Sequence, residues 1–184
     1  VTPTPAIFLD RDGVLNRTVV VEGVPHPPQA VEHLDVLPGV AEAIAGLAKL
    51  RVPLIVITNQ PDVARGTQTR ETVESINRAL RTLLPHLTAF YTCFHDTADN
   101  CPCRKPKAGL LTEAARAYNI DLSRSFMVGD RWSDIVAGQT AGCRTILIDL
   151  PYSKREKCAP DFRAASLAEA AQIIVTEFGQ GPKE

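Results

Sequence analysis

The chain has 184 residues, of which 45% are hydrophobic and 22% charged, and its 20 basic and 21 acidic side chains leave a formal charge of -1. At roughly 100 to 200 residues per domain this predicts a single domain, residues 1–184, with a real core and no disordered composition. The even charge argues against nucleic acid as a partner, and no apolar run approaches the roughly 18 to 20 residues that would cross a membrane.

Short Val, Ile and Leu runs alternate with longer segments of helical period, the pattern of an α/β fold around a parallel sheet. Residues 6–9 predict a buried strand that stops at the turn-forming Asp10-Arg11-Asp12-Gly13. Residues 16–38 carry Pro25, Pro27, Pro28 and Pro38 with little periodicity, and read as an irregular excursion over the sheet's end. A helix over 39–50 aligns Val40, Ala43, Ile44, Leu47 and Leu50, and a strand over 53–57 ends at Thr58-Asn59-Gln60-Pro61. Next come a helix over 69–84 opened by Thr69, a strand near 90–94, a cysteine-rich loop over 93–103 and a helix over 108–118. A strand over 125–128 closed by Gly129-Asp130, a helix over 133–141, a strand over 145–148 and a helix over 167–178 complete the series. The fold expected is a three-layer, Rossmann-like α/β sandwich with a central, mostly parallel sheet.

Asp10/Asp12, Thr58/Asn59 and Asp130/Asp134 each follow a predicted strand at its carboxyl end, the edge where open α/β sheets bind ligands. Each alone is an ordinary turn or helix cap. Together with Lys105 they point to a site. Carboxylates converging from separate strands repel one another unless a cation lies between them, and hard oxygen donors suit Mg²⁺. Beside such an ion Asp10 is placed to attack phosphorus. Asp12, two residues on, would protonate the leaving oxygen and later deprotonate water. Thr58 and Lys105 would steady the phosphoryl oxygens, and Asp130 would complete the magnesium shell.

These segments resemble the four motifs of the haloacid dehalogenase superfamily of phosphatases. In order they are Phe8-Leu9-Asp10-Arg11-Asp12-Gly13-Val14-Leu15-Asn16, Ile57-Thr58-Asn59-Gln60, Arg104-Lys105-Pro106 and Val128-Gly129-Asp130-Arg131-Trp132-Ser133-Asp134. The resemblance implies Asp10 as nucleophile, Asp12 as general acid/base, Thr58 and Lys105 as phosphoryl stabilisers, and Asp10, the Asp12 carbonyl and Asp130 as magnesium ligands. Asp134 is left between a water-mediated metal contact, an orienting role toward Lys105 and a place in the first turn of its helix. A binding scaffold would need no such set of nucleophile, acid, cation and metal ligand, and a phosphotransferase would need to exclude water, so hydrolysis is the expected reaction.

The chain has five cysteines. Cys93, His95, Cys101 and Cys103 form one loop and suit a closed, tetrahedral, structural Zn²⁺ site, the alternatives being scattered core residues or a redox pair. Such a metal would fix the backbone that presents Arg104 and Lys105. Cys143, Cys158, His26, His33 and His86 receive no role. No segment between the motifs is long enough for a cap domain. A capless enzyme with this zinc loop resembles the heptose bisphosphate phosphatases and the histidinol-phosphate phosphatases. Asn16 and Ala64-Arg65-Gly66 favour the former, whereas the spacer between the zinc pairs also occurs in the latter. The substrate implied is a small phosphorylated sugar, contacted by Asn59, Gln60, Arg104 and Arg131. The enzyme is expected to be a monomer and, since Val1-Thr2-Pro3-Thr4-Pro5 lacks the marks of a leader, cytoplasmic.

Overall fold

A computed structural model describes residues 2–153 and 158–179. Its centre is a six-stranded sheet, β1 (Ile7–Leu9), β4 (Leu54–Asn59), β5 (Ala89–Cys93), β6 (Phe126–Gly129), β7 (Arg144–Ile148) and β8 (Phe162–Ala164), in the spatial order β5-β4-β1-β6-β7-β8. Every pairing in it is parallel. The chain builds outward on one side of β1, then returns to build outward on the other, so the order reverses between β1 and β6. That reversal is the crevice where doubly wound sheets bind ligands.

Alternate strand residues feed two cores. Ile7, Leu9, Val56, Phe126, Val128 and Ile146 pack with α1 (Val40–Ala48) and α5 (Leu167–Gly179) on one face. Phe8, Ile55, Ile57 and Met127 pack with α3 (Gly109–Tyr118) and α4 (Trp132–Ala141) on the other. Burial on both faces explains why the strands read as continuous apolar runs instead of alternating ones. The remaining helix, α2 (Arg70–Leu83), adds Leu80 to the first core and is capped by Thr69, whose hydroxyl accepts from the Thr72 N–H. No helix among the described residues is long and apolar enough to cross a membrane.

Two elements depart from the sequence reading. Within the irregular excursion lies an antiparallel hairpin, β2 (Val19–Val21) with β3 (Val24–His26). It turns at Glu22 and Gly23, both at positive φ (50° and 79°), the geometry of a tight two-residue hairpin turn. The prolines masked it, although Pro25 sits in a two-stranded ribbon that has free edges to spare. Edge strand β8 is also additional, its three residues being too short for a periodic signal.

Candidate active site and metal centre

Asp10 follows β1, and Asp130 follows β6, so the reversal point sets these two carboxylates side by side. Ligand oxygens of Asp10, Asp130 and Asp134 all lie within 4.8 Å of one another. Thr58 and Asn59 are the last residues of β4 rather than the first of a loop, paired with Thr92 and Cys93 of β5. This pairing brings the cysteine loop back over the sheet edge and delivers Lys105.

Lys105 is almost fully buried. Its ammonium makes three contacts: Asp10 Oδ1 at 2.8 Å, Asp134 Oδ1 at 2.6 Å and the Ile57 carbonyl at 2.8 Å. The contacts to Asp10 and Ile57 are hydrogen bonds, and the contact to Asp134 is an ion pair. Burial opposes the charge, but Asp10 and Asp134 outweigh it and keep the amine protonated. The side chain is thereby tied to the proposed nucleophile. Asp134 orients Lys105 through Oδ1, while its Oδ2 accepts the Arg131 N–H at 3.0 Å in the first turn of α4.

Asp10 Oδ1 also accepts the Arg11 N–H at 2.8 Å. Burial pushes the Asp10 carboxyl up to about 6, with Lys105 working against the rise and Asp134 and Asp12 adding to it. Asp130 is raised well above the usual carboxylate range by burial, then by Asp10 and Asp134. Its Oδ1 is buried and has no hydrogen-bond partner, an arrangement that a divalent cation would satisfy. The donor set of hard carboxylate oxygens fits magnesium.

The Asp12 carboxylate lines the cleft but is not one of the three clustered carboxylates. The Arg11 guanidinium bonds it at 3.0 to 3.2 Å, Asn16 Nδ2 donates at 2.9 Å and Gln60 Nε2 at 2.7 Å. Gln60, expected to touch substrate, is fully buried beneath the site, where its amide spans Asp12 and Thr58 Oγ1, the latter at 2.8 Å. Asn59 lines the cleft, yet its amide clasps the Lys105 backbone, donating to the carbonyl at 3.0 Å and accepting from the N–H at 3.1 Å. Both side chains hold residues to which the sequence assigns catalytic roles. Thr58 Oγ accepts from Gln60, so its own proton is free to be given to a ligand.

The cleft, about 620 Å³, is lined by Asp10, Asp12, Thr58, Lys105, Arg104 and Arg131, and by residues to which the sequence reading gave no part in the site. Those are His26 and Pro27 of the hairpin region, together with Arg65 and Trp132. The hairpin was illegible, so its cleft residues were too. Arg104 donates to the His95 carbonyl at 3.2 Å, and Arg131 reaches the Pro25 carbonyl at 3.4 Å. Arg65 forks onto Asp96 at 2.7 and 2.9 Å, which holds that carboxyl down at about 2. Tyr152, also unforeseen, donates to Asp130 Oδ2 at 2.6 Å.

Cys93, His95, Cys101 and Cys103 meet at one point. Five of the spacings among their sulfurs and the imidazole Nδ1 are 3.1 to 3.7 Å, and all four ligand atoms lie within 4.8 Å of one another. A tetrahedron with metal–sulfur bonds of about 2.3 Å has edges of about 3.7 Å, so a small expansion of this cluster would seat a zinc ion. Burial works against a thiolate at Cys101, but sulfur and backbone donors, with Cys103 foremost, bring it down to about 7.

Fold and site together define a hydrolase of the haloacid dehalogenase-like class, and the HAD-hydrolase-like family model matches residues 102–170. The D-glycero-D-manno-heptose-1,7-bisphosphate 7-phosphatase of Thermosynechococcus vestitus is 35% identical, over 96% of this chain and 98% of its own. The D-glycero-beta-D-manno-heptose-1,7-bisphosphate 7-phosphatase of Escherichia coli is 34% identical, over 92% and 93%. A crystal structure of D,D-heptose 1,7-bisphosphate phosphatase from B. bronchiseptica, complexed with magnesium and phosphate, superposes with a TM-score of 0.83 at 30% identity, over 95% of this chain and 99% of that one. The chain belongs to the family these phosphatases form, and is a phosphoric monoester hydrolase.

Proposed function

We propose that this enzyme is a magnesium-dependent phosphatase that removes the 7-phosphate of D-glycero-D-manno-heptose 1,7-bisphosphate, leaving heptose 1-phosphate, through an aspartyl-phosphate on Asp10. The observation that carries the chemistry is the meeting of Asp10, Asp12, Thr58 and Lys105 beside the unpartnered Asp130 oxygen. Asp10, the Asp12 carbonyl and Asp130 would hold the magnesium ion, which when bound neutralises charge on the phosphoryl group and keeps Asp10 ionised.

Lys105 and the Arg11 amide fix Oδ1 of Asp10, so the remaining oxygen is the one to bond phosphorus. Asp12, steadied by Arg11, Asn16 and Gln60, gives its proton to the departing sugar oxygen. Thr58 donates its hydroxyl proton to a phosphoryl oxygen, and the charge of Lys105 lies close by. Asp12 then takes a proton from the water that splits the aspartyl-phosphate. The product phosphate leaves and Asp10 is restored. Arg104 and Arg131, guanidinium forks in the cleft, suit a second phosphate on the same substrate, which agrees with what the relatives hydrolyse.

Phosphate release with Mg²⁺ from heptose 1,7-bisphosphate (both anomers), histidinol phosphate and an aryl phosphate, with Asp10→Asn as control, tests the reading. A heptose bisphosphate should be turned over fastest and the variant should be inert. Faster release from histidinol phosphate would replace the substrate, and full activity in the variant would overturn the nucleophile.

A further inference from the structure

Asp130 is gripped by groups that lie far from it in the chain. Ser153 Oγ donates to its backbone carbonyl, and the Tyr152 hydroxyl donates to its carboxylate Oδ2 at 2.6 Å. Thr18, at the foot of the hairpin, in turn donates to the Tyr152 oxygen. Gly13 makes room for this chain of contacts. At φ 90° it has no side chain, and a Cβ built there would lie 2.3 Å from Asp130 Oδ2 and 2.7 Å from the tyrosine oxygen.

The carboxylate is therefore asymmetric. Oδ2 is committed to a protein donor, while Oδ1 is buried and unpartnered. Such a group offers a cation one oxygen. Magnesium takes single oxygens in an octahedron of about 2.0 to 2.1 Å, whereas calcium takes roughly six to eight at longer range and favours two from one carboxylate. We propose that Tyr152 is a positioning residue that sets metal choice, holding Asp130 to one-oxygen ligation and so favouring magnesium over calcium. The inference rests on the metal site proposed above.

The test is calorimetric titration of the zinc-loaded, magnesium-free protein with MgCl₂ and, separately, CaCl₂, for wild type, Tyr152→Phe and Asp130→Asn. Phe keeps the ring and removes only the hydroxyl. Tyr152→Phe should bind magnesium about tenfold more weakly, the scale of an outer ligand contact, with calcium weakened far less, so that the preference for magnesium shrinks. Thr18→Val, which leaves the tyrosine in place, should move the preference the same way by a smaller factor. Equal weakening of both ions, or no change in either, overturns the proposal while leaving the metal site intact. If the wild type takes up no magnesium, the metal reading falls and this inference with it. Asp130→Asn should lose both ions.

Discussion

Asp10 carries its negative charge where burial and two neighbouring carboxylates oppose it and one ammonium supports it. In the magnesium-free protein its folded value of about 6 exceeds the ordinary 3.8, so the folded state holds more protons than the unfolded one between those pH values. The stability it contributes is present below about pH 4 and is lost as the pH rises through 6. Asp10→Asn should abolish turnover, by at least about 10⁴-fold. In thermal melts from pH 4 to 7 without magnesium it should also remove this decline, and at pH 7 exceed wild type by on the order of 3 kcal/mol. A variant that melts in parallel with wild type across that range would refute the charge argument. Gln60 acts at the same scale through geometry, because one amide nitrogen serves both Asp12 and Thr58. Gln60→Leu should lower kcat about tenfold or more with little change in KM, a loss within the usual scale of general acid–base help. Unchanged kcat would show that Arg11 and Asn16 suffice to hold Asp12.

At the scale of elements, the cysteine loop delivers Lys105 to the cleft. It starts at Cys93 beside Asn59 in the β4–β5 ladder and returns to Asn59 at Lys105, so a zinc ion on its four candidate ligands, together with the clasp, would hold one stretch of chain at two points. Cys101→Ser should therefore lose zinc, lower the melting temperature and reduce kcat by roughly tenfold to a hundredfold, the scale seen when outer support of a site is removed. Zinc content and turnover on one preparation check it. The loop was legible because four ligand residues crowd together, just as β1, β4, β6 and β7 were legible from apolar runs ending in Asp or Thr. The hairpin was not, because its prolines suppress the strand signal and its valines are about half exposed, with no buried face to impose alternation. Tyr152 carried no signal at all, since nothing near it in sequence says that β7 returns the chain to Asp130. Likewise the motif fixes that Asn59 and Gln60 meet at the site, whereas the hydrogen bonds of Gln60 to Asp12 and Thr58 decide that it lies beneath the cleft while Asn59 lines it.

The whole molecule divides at β1. The β4–β5 side supplies Thr58, Lys105 and Arg104, and the β6–β7 side supplies Asp130, Arg131 and Tyr152, so the cleft closes only when both halves of the sheet are in place. In the proposed reaction Thr58 and Lys105 serve the phosphoryl group at Asp10, which would leave the two arginines for the substrate's other phosphate. Each is steadied by an element added to the bare sandwich, Arg104 by the zinc loop at His95 and Arg131 by the hairpin at Pro25. Arg104→Ala and Arg131→Ala should each raise KM for heptose 1,7-bisphosphate about tenfold while barely altering hydrolysis of an aryl phosphate, which has nothing for them to hold. If both grip one phosphate, the second deletion costs less once the first is made, and the double variant should fall short of the summed effects by about 1 kcal/mol. Strict additivity would mean that the arginines bind separate groups, and an equal loss on the aryl phosphate would return them to the reacting phosphate.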